Sequence, residues 1–143
     1  DIEFWTRIAL TTHWEFEGIE KGLTYYRVNE GGLSANLEKQ FASWQHAVKL
    51  NVANSPEFFD KYYSLAKAYQ LRYLSRRAIQ SSSRVDGLKL VHKALICDIR
   101  ILFQEPKRTL ITLCSAWLKL LPDNLYSFCE KRAMLYLGAH KIS

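Results

Sequence analysis

Ser55-Pro56-Glu57-Phe58-Phe59-Asp60-Lys61-Tyr62-Tyr63-Ser64-Leu65-Ala66 opens the longest helical pattern in the chain. Proline at a first helical position, a serine before it and an acid in the first turn together make a helix start. Behind that start, Phe58, Tyr62, Leu65, Ala66, Tyr69 and Tyr73 recur at helical spacing, an apolar stripe that reaches about Ile79. A stripe of that length needs partners to cover it, and the flanking sequence supplies them. Upstream, Leu37, Phe41, Trp44 and Val48 stripe another helix, with Ser34 as its candidate cap and a break over 51–55. Downstream, Ser81-Ser82-Ser83 interrupts the chain. Leu88, Val91, Leu95, Ile99 and Leu102 then predict a helix that ends before Pro106.

Leu110, Leu113, Cys114, Trp117 and Leu121 stripe the next helix, ending at Pro122. Asp123 or Asn124 caps a last one, with Leu125, Phe128, Cys129 and Tyr136 inward and Gly138 as its stop. Short connections of this kind favour antiparallel neighbours, so residues 34–143 are expected to form a helical bundle or stacked helical hairpins. The pair of helices around the serine run has the texture of a tetratricopeptide hairpin, but no second copy follows at a fixed period.

The first 33 residues read differently. Residues 2–11 form a short helix in which Phe4, Trp5, Ile8 and Ala9 keep helical spacing. His13-Trp14-Glu15-Phe16-Glu17 alternates as a strand does, and Leu23 to Val28 is rich in aromatic and β-branched residues. Gly18 and Gly22 bracket the turn between them, and Gly31-Gly32 ends the second strand. The fold expected is therefore mainly α, preceded by a short helix and a two-stranded β segment. Two strands by themselves are marginal in water. Their edges are expected to be covered, through residues 13–28, by a second copy of the chain or a neighbouring helix.

Composition places limits on function. The 143 residues are 48% hydrophobic and 24% charged, an ordinary globular balance with a net charge of +6. That charge permits contact with phosphates or an anionic membrane surface without requiring either. The three cysteines, Cys97, Cys114 and Cys129, lie far apart with no Cys-x-x-Cys pair, and they read as small apolar residues in a reducing compartment. The four histidines have no metal-ligand spacing, and there is neither a Gly-rich phosphate loop nor an Asp-x-Asp pair. Arg72, Arg76, Arg77, Arg84, Lys89 and Lys93 form a basic strip that could meet nucleic acid or lipid headgroups, and equally reads as the wet face of an amphipathic helix.

Asp1-Ile2-Glu3-Phe4-Trp5-Thr6-Arg7-Ile8-Ala9, followed by Tyr25-Tyr26-Arg27-Val28-Asn29 and by Ser34, resembles the C-terminal edge of the catalytic domain in family 2, GT-A type glycosyltransferases. The resemblance covers the first 34 residues. It implies a domain edge over residues 1–33, a helical C-terminal domain over 34–143, and a longer parent protein whose nucleotide half lies before Asp1.

It further implies inverting transfer of a sugar from a nucleotide donor to a glycan or lipid-linked acceptor, at the inner, cytoplasmic face of the membrane. Asp1 matches the carboxylate that takes the acceptor's proton. Trp5 would lie beneath the acceptor, where a core position is the plainer reading. Arg7 would orient the carboxylate or stand as a surface charge. Arg27 would hold a diphosphate oxygen through paired hydrogen bonds. Asn29 stands where the family commonly has His, and a carboxamide cannot titrate and is a poor ligand for a transition metal; a divalent metal, Mg or Mn, is expected in the parent.

The chain by itself is expected to be inactive and to carry no cofactor. An all-helical interaction or oligomerisation module is the alternative, and a basic nucleic-acid binder is a third.

Overall fold

A computed structural model describes residues 2–19, 21–23, 36–81 and 84–137. Seven helices follow one another: α1 (Ile2–Thr11), α2 (Leu37–Val52), α3 (Pro56–Gln80), α4 (Arg84–Cys97), α5 (Arg100–Gln104), α6 (Pro106–Leu118) and α7 (Asp123–Leu137). The chain is mainly helical, as expected. The β segment is not seen among the described residues. Residues 13–19 carry no regular secondary structure, and most of the second predicted strand, 24–28, lies outside the described residues. The physical reason is the one that makes lone hairpins marginal: alternating side chains favour a ladder only when a neighbouring strand takes up the backbone groups.

The chain divides into two compact units, residues 1–67 and 68–143, with the division inside α3. The predicted boundary at 33/34 falls in the first unit, outside the described residues. In the first unit α1 packs against α2. Asn36, rather than Ser34, caps α2: its side chain accepts a hydrogen bond from the Lys39 amide at 2.8 Å. Trp44, buried on α2, stacks between Phe41 and Tyr63 with ring centroids 5.8 and 6.0 Å away, tying α2 to the first half of α3.

The second unit is built on the second half of α3. Ala68, Leu71, Leu74, Ser75, Ala78 and Ile79 are buried there. The predicted stripe continued instead through Tyr69 and Tyr73, and Tyr73 is exposed. Small residues let the helices approach closely. Gly87 on α4 has no Cβ, and one built there would come within 2.8 Å of Ile79 Cγ1. The Ser75 hydroxyl donates to the Gly87 carbonyl at 2.7 Å across the same crossing. Ile79, Val91 and Ala116 form the centre of the core, with Leu88 and Leu113 against them.

The predicted third helix is two. Asp98 interrupts it, its carboxylate accepting from the Arg100 backbone at 3.0 Å and from the Arg100 guanidinium. Pro106, read as a terminator, is the first residue of α6. On α6 only Leu113 of the predicted stripe packs against the core. Thr109, Thr112 and Ala116 are buried, while Leu110, Cys114 and Trp117 are exposed. On α7, Leu125 and Phe128, predicted inward, are exposed as well.

Arg72 is a further correction, since it leaves the basic strip for the interior. It donates to Thr109 Oγ1 at 2.8 Å and pairs with Glu105, while its guanidinium lies 5.0 Å from the Tyr69 ring centroid. The hydrogen bond from Arg72 holds the Glu105 carboxyl below its ordinary value of 4.5. A carboxyl depressed in the folded state adds stability above its unfolded pKa and loses it as pH falls through the folded one. Stability should therefore decline below about pH 4.5. Glu105→Gln should lower stability at pH 7 by about 1 kcal/mol, because the pair is partly solvated, and should flatten that acid limb. Urea denaturation midpoints at pH 7 and pH 3.5 check both.

Candidate functional site on the N-terminal helix

Helix α1 is short, and none of its residues is buried. Glu3 and Arg7, one turn apart, form an ion pair at 2.9 Å, and the Arg7 guanidinium lies 5.6 Å from the Phe4 ring centroid. Arg7 is thus engaged within its own helix. The helix stops where two hydroxyls compete for its last carbonyls: Thr11 Oγ1 donates to Arg7 O at 2.7 Å and Thr12 Oγ1 to Ile8 O at 2.8 Å.

The chain then turns back so that Phe16 meets Trp5 edge-on, with centroids 5.5 Å apart, while Phe4 meets the other side of Trp5 at 5.1 Å. Despite these contacts Trp5 is 54% exposed. The core reading of Trp5 therefore does not hold in this structure. It belongs to an exposed aromatic cluster with Phe4 and Phe16; Ile19 and Leu23, further along the chain, are each more than half exposed as well.

Of the predicted site residues, Trp5 and Arg7 can be placed. Asp1, Arg27 and Asn29 lie outside the described residues. No group of three or more His, Cys, Asp or Glu side chains that could hold a metal ion occurs among the described residues. His92 has Nδ1 2.9 Å from the Leu88 carbonyl and its ring edge against Trp117, the surroundings of a packed histidine.

Two further features lie elsewhere. In the first unit an open groove of about 530 Å³ runs between α2 and the start of α3, lined by Val48, Val52, Phe59 and Tyr63, with Lys49 and Asp60 at its edges. In the second unit the Arg72–Glu105–Thr109 cluster closes on the Ile101 carbonyl, to which Thr109 donates at 2.9 Å. That cluster is a buried brace between α3 and the α5–α6 turn.

No family model, curated protein or solved structure matches the chain.

Sequence reading missed the burial of Arg72 and the outward face of α6. The available signal for both was Thr109, Thr112 and Ala116 at i, i+3 and i+7, a line of small side chains that admits a close neighbour and a long polar one. No helix among the described residues is long and apolar enough to cross a membrane.

Proposed function

We propose that the chain is the C-terminal portion of a nucleotide-sugar-dependent, inverting glycosyltransferase of GT-A type. The observation that supports this reading most is the exposed aromatic surface on the very segment that bears the motif. Phe4, Trp5 and Phe16 meet ring to ring and each is about half exposed, the kind of apolar cluster that ordinarily marks a contact surface. In the proposal that surface packs against the remainder of a catalytic sheet, and Trp5 forms the floor of the acceptor site.

The chemistry follows from a carboxylate at that edge. Asp1 accepts the proton of the acceptor hydroxyl while its oxygen attacks the anomeric carbon. The nucleoside diphosphate departs from the opposite face, which inverts that centre. Arg27 and Asn29 offer hydrogen-bond donors to the diphosphate end of the donor. A divalent metal such as Mg or Mn, when bound in the parent enzyme, would neutralise the leaving group. Its ligands are assigned to residues before Asp1, and no step here depends on it. Residues 34–143 are assigned to acceptor choice and to contact with a membrane surface on the cytoplasmic side.

Calorimetry tests the division of labour. The 143-residue chain should show no micromolar binding of a UDP- or GDP-sugar, whereas the protein extended upstream of Asp1 should bind one. Micromolar binding to the chain alone would contradict the proposal, since the nucleotide half would then be unnecessary. The alternative, an all-helical interaction module, draws its support from the α2–α3 groove and makes no distinction between the two proteins in that titration.

A further inference from the structure

Helix α6 turns Thr109, Thr112 and Ala116 inward, with Leu113 beside them against the core; Thr112 Oγ1 donates to the Arg108 carbonyl at 2.8 Å and Thr109 Oγ1 to the Ile101 carbonyl at 2.9 Å. Leu110, Ile111, Cys114 and Trp117 are exposed. At ~100° per residue these four fall within an arc of about 120° on the side opposite the threonines. An apolar arc of that width on a helix facing outward is a surface with an occupant to find.

Charge indicates which occupant. Residues 68–143 hold thirteen Lys and Arg against five Asp and Glu, a net +8, while residues 1–67 hold seven against nine. From Pro106 to Pro122 the chain has no acid, and Lys107 and Arg108 stand at one end of α6 with Lys119 at the other. Glu105, at the α6 N-cap, is taken up by Arg72 and Arg108, so Lys107 at one end and Lys119 at the other, its ammonium 4.3 Å from the Tyr126 ring centroid, leave both ends basic. A second copy docking through this face, parallel or antiparallel, would bring cation against cation, which disfavours self-association. An anionic lipid surface meets both requirements at once, because acyl chains accept Leu110, Ile111 and Trp117 while headgroups neutralise the lysines. Tryptophan and lysine beside an apolar stripe are the side chains that favour the boundary between hydrocarbon and water.

We propose that the outward face of α6 is a docking surface for an anionic membrane, with the helix lying in the plane of the interface. The proposal rests on the membrane contact assigned above to residues 34–143 and gives it a surface and a lipid class, and its test needs no nucleotide sugar, so it can fail while the transfer chemistry stands. Sedimentation of the full chain with phosphatidylcholine vesicles, and with 7:3 phosphatidylcholine–phosphatidylglycerol vesicles, measures it. Binding should be about tenfold or more tighter to the anionic vesicles and should weaken between 0.05 and 0.5 M salt. Leu110→Gln with Trp117→Gln should reduce that binding about tenfold while circular dichroism still reports a folded helical chain. Lys107→Glu with Lys119→Glu should bring it down to the neutral-vesicle level.

Equal binding to both vesicle types, absence of binding, or indifference to the α6 substitutions would overturn the proposal. So would a dimer in analytical ultracentrifugation that the Leu110→Gln, Trp117→Gln protein no longer forms, since the face would then belong to a second copy.

Discussion

Asp1→Asn, made in the protein that carries this chain behind its upstream residues, is expected to lower kcat for sugar transfer by about 10²–10⁴-fold. A carboxamide matches the carboxylate in size and still takes part in hydrogen bonds, but it accepts no proton at neutral pH. The loss should therefore fall on kcat, with KM for donor and acceptor little changed. The pH profile gives a second readout. A carboxylate base imposes an acid limb on kcat/KM, and the Asn protein should lose that limb along with the rate. A variant with full activity would remove Asp1 from the chemistry. A general loss of fold, visible by circular dichroism, is not expected from a change at the first residue before α1.

Leu74→Ala should destabilise the chain by about 2–5 kcal/mol, the range for deleting a fully buried leucine. Leu74 is 1% exposed on the stretch of α3 that the rest of the second unit covers. The adjacent Tyr73 is 47% exposed, and Tyr73→Ala should change stability by about 0.5 kcal/mol or less. Urea denaturation of the two variants compares them directly. The contrast is sharp because hydrophobic spacing alone ranks them the other way, with Tyr73 on the stripe and Leu74 beside it.

That reversal shows what was legible in the sequence and what was not. Ser55-Pro56-Glu57 gave the start of α3, and the serine run at 81–83 its end, because caps and breakers act locally. Trp44 was placed inward correctly, since one large aromatic among polar neighbours has little choice.

The faces of α3 and α6 depended on neighbours that the sequence does not name. Ala68, Ala78, Ser75 and Gly87 score low as hydrophobes, yet they let helices meet at distances that tyrosine would forbid. Arg72 is a charge that can be inside only because Glu105 and Thr109 meet it from 33 and 37 residues away. The break at Asp98 has neither Gly nor Pro. At the break the Asp98 carboxylate accepts the Arg100 amide, while Ile99, at the N-cap position of α5, offers no side-chain cap.

At the N-terminal motif the sequence placed a helix over 2–11 correctly and gave the residues their proposed chemistry. It did not anticipate that Trp5 would lie edge-on to Phe16 and half in solvent. The strand over residues 13–17 failed for a related reason: alternation signals a ladder, and among the described residues no neighbour completes one.

The most direct test of the glycosyltransferase assignment is to incubate the protein extended upstream of Asp1 with a panel of nucleotide sugars and glycan or lipid-linked acceptors. The anomeric configuration of the product is then read by nuclear magnetic resonance. Acceptor-dependent release of the nucleoside diphosphate, with the configuration inverted relative to the donor, is the predicted result. A product that retains the donor's configuration, or no transfer by a folded protein from any donor in the panel, would contradict it.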